Sequence, residues 1–152
     1  MSEDNPYRIF VTHLFQPNED YQRVFEYLES RENFFYANSS NIEKMPAAGG
    51  TEAIKEELRE QIKPAEVVVM PIPIFELNPD LVRFQMDVAQ AFKKPLLAVK
   101  SFGETVAINK EIIDRCDDII EWNDRTLINA IKKLGRGEDT SQWEVIEFTL
   151  DD

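Results

Sequence analysis

The run Val67-Val68-Val69-Met70 constrains the fold of this chain more than any other stretch. Four consecutive apolar residues, three of them β-branched, leave no polar face to turn toward water. They therefore suit a strand covered on both sides, at the centre of a parallel sheet. Residues 7–11 read as a first strand, 33–36 as a second, 95–99 as a fourth and 118–121 as a short fifth. The segments between them carry helical periodicity. Tyr21, Val24, Phe25 and Leu28 share a face within residues 19–30, and Leu127, Ile128, Ala130, Ile131 and Leu134 do so within 126–134. Ile54, Leu58 and Ile62 form the stripe of a helix that opens at Thr51, a good N-cap residue type, and closes at Ile62. This alternation predicts an α/β fold, a flavodoxin-like doubly wound parallel five-stranded sheet in the order 2-1-3-4-5. Ligands of such sheets bind beyond the carboxyl ends of the strands, where the strand order switches. The loops after strands one, two and three are thus the place to look for function.

After the third strand, Pro71 and Pro73 remove two backbone donors and are expected to end regular pairing. Asn78-Pro79-Asp80 then starts a helix with proline in its first turn, and Leu81, Phe84, Val88 and Ala91 are its expected core face. Gln85 borders that stripe, four residues after Leu81 and three before Val88, where a polar side chain can face the cleft. The chain reads as one domain over residues 1–152, with a core at about 7–134 and a C-terminal extension at 135–152. Residues 143–148 of that extension suit an added edge strand or a subunit contact.

Composition removes several function classes. The balance of 17 Lys and Arg against 29 Asp and Glu gives a net charge of −12, which argues against nucleic acid or an anionic membrane surface as a partner. One cysteine, Cys116, and one histidine, His13, offer neither a disulfide nor metal-ligand spacing, so no metal is expected. No apolar run approaches a membrane span and the acidic N-terminus is unlike a signal peptide, which predicts a cytoplasmic protein. No glycine-rich phosphate loop follows the first strand, and no Gly-x-Ser-x-Gly elbow occurs. His13 follows the first strand in a place where an imidazole can bind substrate or move a proton, although a lone histidine at a strand end is more often structural. The aromatics Phe15, Tyr36 and Phe75 lie near three expected strand ends and either sandwich a ring or fill the core.

A set of short motifs, in order over roughly residues 8–134, resembles bacterial TIR-like domains of the Thoeris anti-phage type. Arg8-Ile9-Phe10-Val11-Thr12-His13 is similar to the first strand and loop of that family, and Phe35-Tyr36-Ala37-Asn38-Ser39 to its aromatic-x-Asn-Ser step. Residues 57–62, 65–70, 94–99 and 119–123 continue the series. Where the family carries Trp-Ile-x-x-Glu, this chain has Leu81-Val82-Arg83-Phe84-Gln85. The resemblance implies cleavage of the nicotinamide–ribose bond of NAD, as substrate rather than cofactor, to give a cyclic or modified ADP-ribose signal for a separate effector protein. It makes Gln85 the catalytic position, impaired because an amide brings no charge to an oxocarbenium-like transition state. It also implies that Thr12, His13, Phe15, Tyr36, Asn38, Phe75 and Leu81 bind the NAD or ADP-ribose-type ligand, and that the chain self-associates. Asp87 and Glu76 are the nearby acids, but neither matches the register. The alternatives are a non-catalytic TIR adaptor module and a nucleotide-binding sensor.

Overall fold

Every residue of the third strand is buried, and it is hydrogen-bonded to a neighbour on each side, as its unbroken apolar run requires. The computed structural model describes residues 3–103 and 107–138. Its elements are β1 (Tyr7–Val11), α1 (Glu19–Glu29), β2 (Tyr36–Asn38), α2 (Gly50–Ile62), β3 (Val67–Pro71), α3 (Ile72–Leu77), α4 (Pro79–Ala91), β4 (Leu96–Val99), α5 (Lys110–Arg115), β5 (Asp118–Ile120) and α6 (Asp124–Arg136). The five strands are all parallel in the order β2-β1-β3-β4-β5, with helices on both faces. This is the α/β, flavodoxin-like sheet that the sequence predicts. The order reverses between β1 and β3, so the crevice opens above the carboxyl ends of those two strands.

The boundaries differ from the sequence reading in ways that matter. Strand β2 begins at Tyr36, paired with Tyr7, so Tyr36 opens the strand at the amino-terminal edge of the sheet instead of closing it. Pro71 stays in β3 opposite Val99, beyond the last residue that pairs with β1, and the missing N–H is tolerated there. The short helices α3 and α5 lack the long apolar stripes that periodicity detects. Helix α2 is capped at Gly49, two residues before the expected Thr51, with a φ of +99° that no side chain adopts readily. The expected boundary at 134/135 falls inside α6, which runs to Arg136, and residues 143–148 lie outside the described residues.

Helix α4 departs furthest from expectation. Its fully buried face is Val82, Gln85, Met86 and Ala89, while Leu81 and Phe84 are half-buried and Ala91 is exposed. Relative to the predicted face the helix is turned by about one residue, roughly 100°. That turn puts Gln85 in the middle of the stripe facing the sheet.

At the opposite edge α6 is latched to the start of the sheet. The Arg136 guanidinium bonds both carboxylate oxygens of Glu66 at 2.7 and 2.9 Å and lies 3.9 Å over the Tyr7 ring. It also donates to the Pro6 carbonyl, and the Tyr7 hydroxyl bonds Glu138. Gly135 allows this approach, since a Cβ there would sit 3.0 Å from Val67 Cγ2. The bond from Arg136 holds the Glu66 carboxyl at about 2, down from its ordinary 4.5. A depressed carboxyl stabilises the fold above its unfolded pKa and loses that contribution as pH falls toward the folded one. Glu66→Gln is therefore expected to lower stability by roughly 1–3 kcal/mol at neutral pH. It should also flatten the loss between about pH 4.5 and 2 in urea titrations across pH.

Candidate functional site

The chain leaves β1 at Thr12, whose N–H still bonds Val69 of β3 at 3.0 Å, and then must run under the crevice without a strand partner. A buried N–H and C=O at that point need acceptors and donors from elsewhere. Gln85 supplies both. Its Oε1 accepts the His13 N–H at 3.0 Å and its Nε2 donates to the His13 carbonyl at 2.8 Å, with a longer bond to the Leu81 carbonyl. The side chain is 0% exposed. Gln85 is thus a two-bond clamp on the loop after β1, lying beneath the crevice.

The His13 side chain, 1% exposed, extends this arrangement. Its Nδ1 accepts the Phe15 N–H at 3.1 Å, which places the ring proton on Nε2, 2.8 Å from Gln61 Oε1. Burial holds the imidazole below its ordinary range, against smaller opposing effects of the Gln61 bond and the Glu57 charge. Gln61 on α2 repeats the Gln85 clamp one loop over. Its Oε1 accepts the Asn41 N–H at 2.9 Å and its Nε2 donates to the Asn41 carbonyl at 3.1 Å and to Glu57 at 2.9 Å. The sequence reading missed Gln61, although it sits three residues after Leu58 on the same buried stripe.

Above this floor, between α2 and α4, lies a cleft of about 700 Å³. Leu14 and Phe15 come from the loop after β1, Met45 from the loop after β2, and Thr51, Ile54 and Lys55 from the first turns of α2. Asn78, Asp80, Leu81, Arg83, Phe84 and Asp87 complete it from the start of α4. Thr51, Ile54 and Lys55 on α2 and Asp80, Leu81, Phe84 and Asp87 on α4 recur at helical spacing, so the cleft runs between the facing sides of the two helices. Phe15 adopts φ +59°, an uncommon backbone state for a bulky residue, and meets the His13 ring edge-on at 4.7 Å. Arg83 bonds Glu111 at 2.8 Å and Asp80 at 3.1 Å, and Asp87 bonds Arg115 at 2.5 Å. Lys55 forms no ion pair among the described residues and lies 5.3 Å over the Phe84 ring.

The expected site residues divide accordingly. Phe15 and Leu81 line the cleft. Gln85, His13 and Thr12 lie under it, and the Thr12 Oγ1 is buried with no hydrogen-bond partner. Tyr36 is at the far edge of the sheet, its hydroxyl donating to Glu29. Asn38, the last residue of β2, turns inward, accepting from the Ser40 N–H and donating to the Tyr21 hydroxyl of α1. Phe75 is buried in α3, its ring 5.4 Å from the Arg83 guanidinium. Asp87 lines the cleft, on a different face of α4 from Gln85. Glu76 instead borders a smaller cavity with Glu19, Asp20 and Arg23. Among the described residues no cluster of His, Cys, Asp and Glu is arranged to hold a metal.

No protein-family model matches the sequence, and no curated protein does. Among solved structures the chain is similar to DNA processing protein A from Helicobacter pylori, described for its mode of single-stranded DNA binding. The TM-score is 0.53 at 11% identity, over 86% of this chain and 82% of that one. A de novo designed Rossmann 2x3 fold protein gives a TM-score of 0.47 at 10% identity, over 89% and 96% of the two chains. The likeness is one of fold alone. It nevertheless corrects the exclusion of nucleic acid drawn from charge, since a protein of this fold binds single-stranded DNA. A net charge of −12 sums over the whole surface and does not describe any one groove. No helix among the described residues is long and apolar enough to cross a membrane.

Two substitutions test this geometry. Gln85→Glu puts a carboxylate against the His13 carbonyl, and only the protonated form can donate to it, so the folded pKa is raised above the unfolded value of about 4.3. Stability is then greatest below that pH and falls as pH rises, with an expected loss of about 3 kcal/mol or more at neutral pH by denaturant unfolding. Thr12→Val removes an orphaned hydroxyl at constant shape and is expected to raise stability by about 1 kcal/mol in the same assay.

Proposed function

We propose that this chain binds a dinucleotide of the NAD or ADP-ribose type in the cleft between α2 and α4 and does not cleave it. The observation that carries this reading is the commitment of the Gln85 amide to the His13 backbone. At the position where the resembled family holds its catalytic carboxylate, the side chain is buried, neutral and fully hydrogen-bonded. Asp80 and Asp87 do reach the cleft, but each is paired with an arginine at the surface. Neither is the desolvated carboxylate that would stabilise positive charge on a ribose.

What remains suits binding. The cleft volume falls within the range of small-molecule sites, and the cleft sits at the switch in strand order. The Lys55 ammonium, which forms no ion pair among the described residues, favours a phosphate group, while Phe15 and Phe84 offer ring faces and edges to a base. Asp80 and Asp87 can accept from ribose hydroxyls.

Calorimetric titration with NAD and with ADP-ribose is expected to show saturable binding with no nicotinamide released. Lys55→Gln should weaken it roughly fivefold to tenfold, the loss of one charge-assisted contact. Nicotinamide release by the unmodified chain would overturn the non-catalytic half of the reading. Absence of any binding at millimolar ligand would overturn the rest, and a single-stranded oligonucleotide bound more tightly than either dinucleotide would replace it.

A further inference from the structure

The two loops that border the cleft are joined underneath it by one unbroken run of hydrogen bonds, buried at His13 and part-buried where it reaches Phe15 and Asn41. Gln85 clamps the His13 backbone, the His13 ring bonds both the Phe15 N–H and Gln61, and Gln61 clamps the Asn41 backbone. Phe15 lines the cleft two residues beyond His13, and Met45 lines it four residues beyond Asn41. Neither His13 nor Gln61 touches the cleft itself. We infer that His13 and Gln61 are positioning residues that make these two rims a single unit, so that the placement of Phe15 depends on Gln61 in the neighbouring helix. This rests on the binding reading of the cleft for its consequence, weaker ligand affinity when the link is cut, but not for the link.

The chemistry of the imidazole makes the link directional. Neutral histidine has one donor and one acceptor, and the Phe15 N–H claims the acceptor Nδ1. The proton must then stay on Nε2, where Gln61 Oε1 receives it. Removing that acceptor leaves a buried N–H without a partner and frees the ring to turn or to change tautomer. Either change takes the acceptor away from Phe15, whose backbone at φ +59° needs an outside restraint to persist. Asparagine at position 13 would break this dependence. Its side-chain oxygen can accept from the N–H two residues on, as Asn38 does for Ser40 and Asn41 for Glu43 in this chain, but it is too short to reach Gln61.

The test is a cycle of variants read by amide hydrogen exchange in the ligand-free protein. Gln61→Met is expected to lower protection of the Phe15 amide roughly fivefold to tenfold, the effect of one typical hydrogen bond. In a His13→Asn background the same Gln61→Met change should leave Phe15 protection where it was. An equal fall in both backgrounds, or no fall in either, would overturn the link, since a general loss of stability acts alike in both. The unmodified protein gives a second reading that needs no variant to fold. Nitrogen-15 spectra of the His13 ring should show the Nε2–H tautomer, and an Nδ1–H tautomer would overturn the link as well. Titration with ADP-ribose completes the set, with Gln61→Met expected to bind roughly fivefold more weakly. If the unmodified chain does not bind ADP-ribose, the binding reading fails while the exchange cycle still decides the coupling. If it binds and Gln61→Met binds equally well, the positioning role fails.

Discussion

A parallel strand that ends beneath a binding crevice leaves buried backbone groups with no neighbour to pair with, and the structure turns on how that need is met. Here β1 stops pairing at Thr12 and His13 is the first residue without a strand beside it. The Gln85 amide takes the place of the missing strand by offering an acceptor and a donor at the spacing of a peptide unit. This fixes the rotation of α4, because only one setting of the helix aims residue 85 at the sheet. The rotation in turn sends Leu81, Phe84 and Asp87 to the cleft. Glutamate and glutamine have nearly the same shape, but a carboxylate cannot donate. At this position the amide is therefore a working part of the fold.

The frame of the fold was legible because it rests on short-range patterns. Val67 to Met70 marks the central strand through β-branching and lack of polar residues, and the amphipathic stripes of α1, α2 and α6 mark their helices. The face of α4 was not legible in the same way. Apolar residues occupy both Leu81/Phe84 and Val82/Met86, so hydrophobicity allows two rotations, and the choice falls to a hydrogen bond with a residue 72 positions away. Tyr36 was misplaced for a related reason. Three aromatics in succession, Phe34 to Tyr36, look like a strand, yet pairing begins only at the last of them. Gln61 and Gln85 share one signal in the sequence, a long amide beside an apolar stripe on a helix next to a strand.

The charges around the cleft are organised as well as numerous. Arg83, Glu111, Arg115 and Asp87 alternate in sign across α4 and α5, so that the acids nearest the cleft are already neutralised by neighbours. Exposed pairs of this kind contribute little to stability. Their effect is on the local field, which differs in the cleft from what a net charge of −12 suggests.

The latch of Arg136 on Glu66 and Tyr7 fixes the end of α6 beside the start of the sheet. Glu138 bonds the first residue of β1, at the edge of the sheet opposite the cleft. The latch and the cleft thus lie at opposite ends of the strands. The base of the sheet can therefore be altered at Glu66 or Arg136 without touching any residue that lines the cleft.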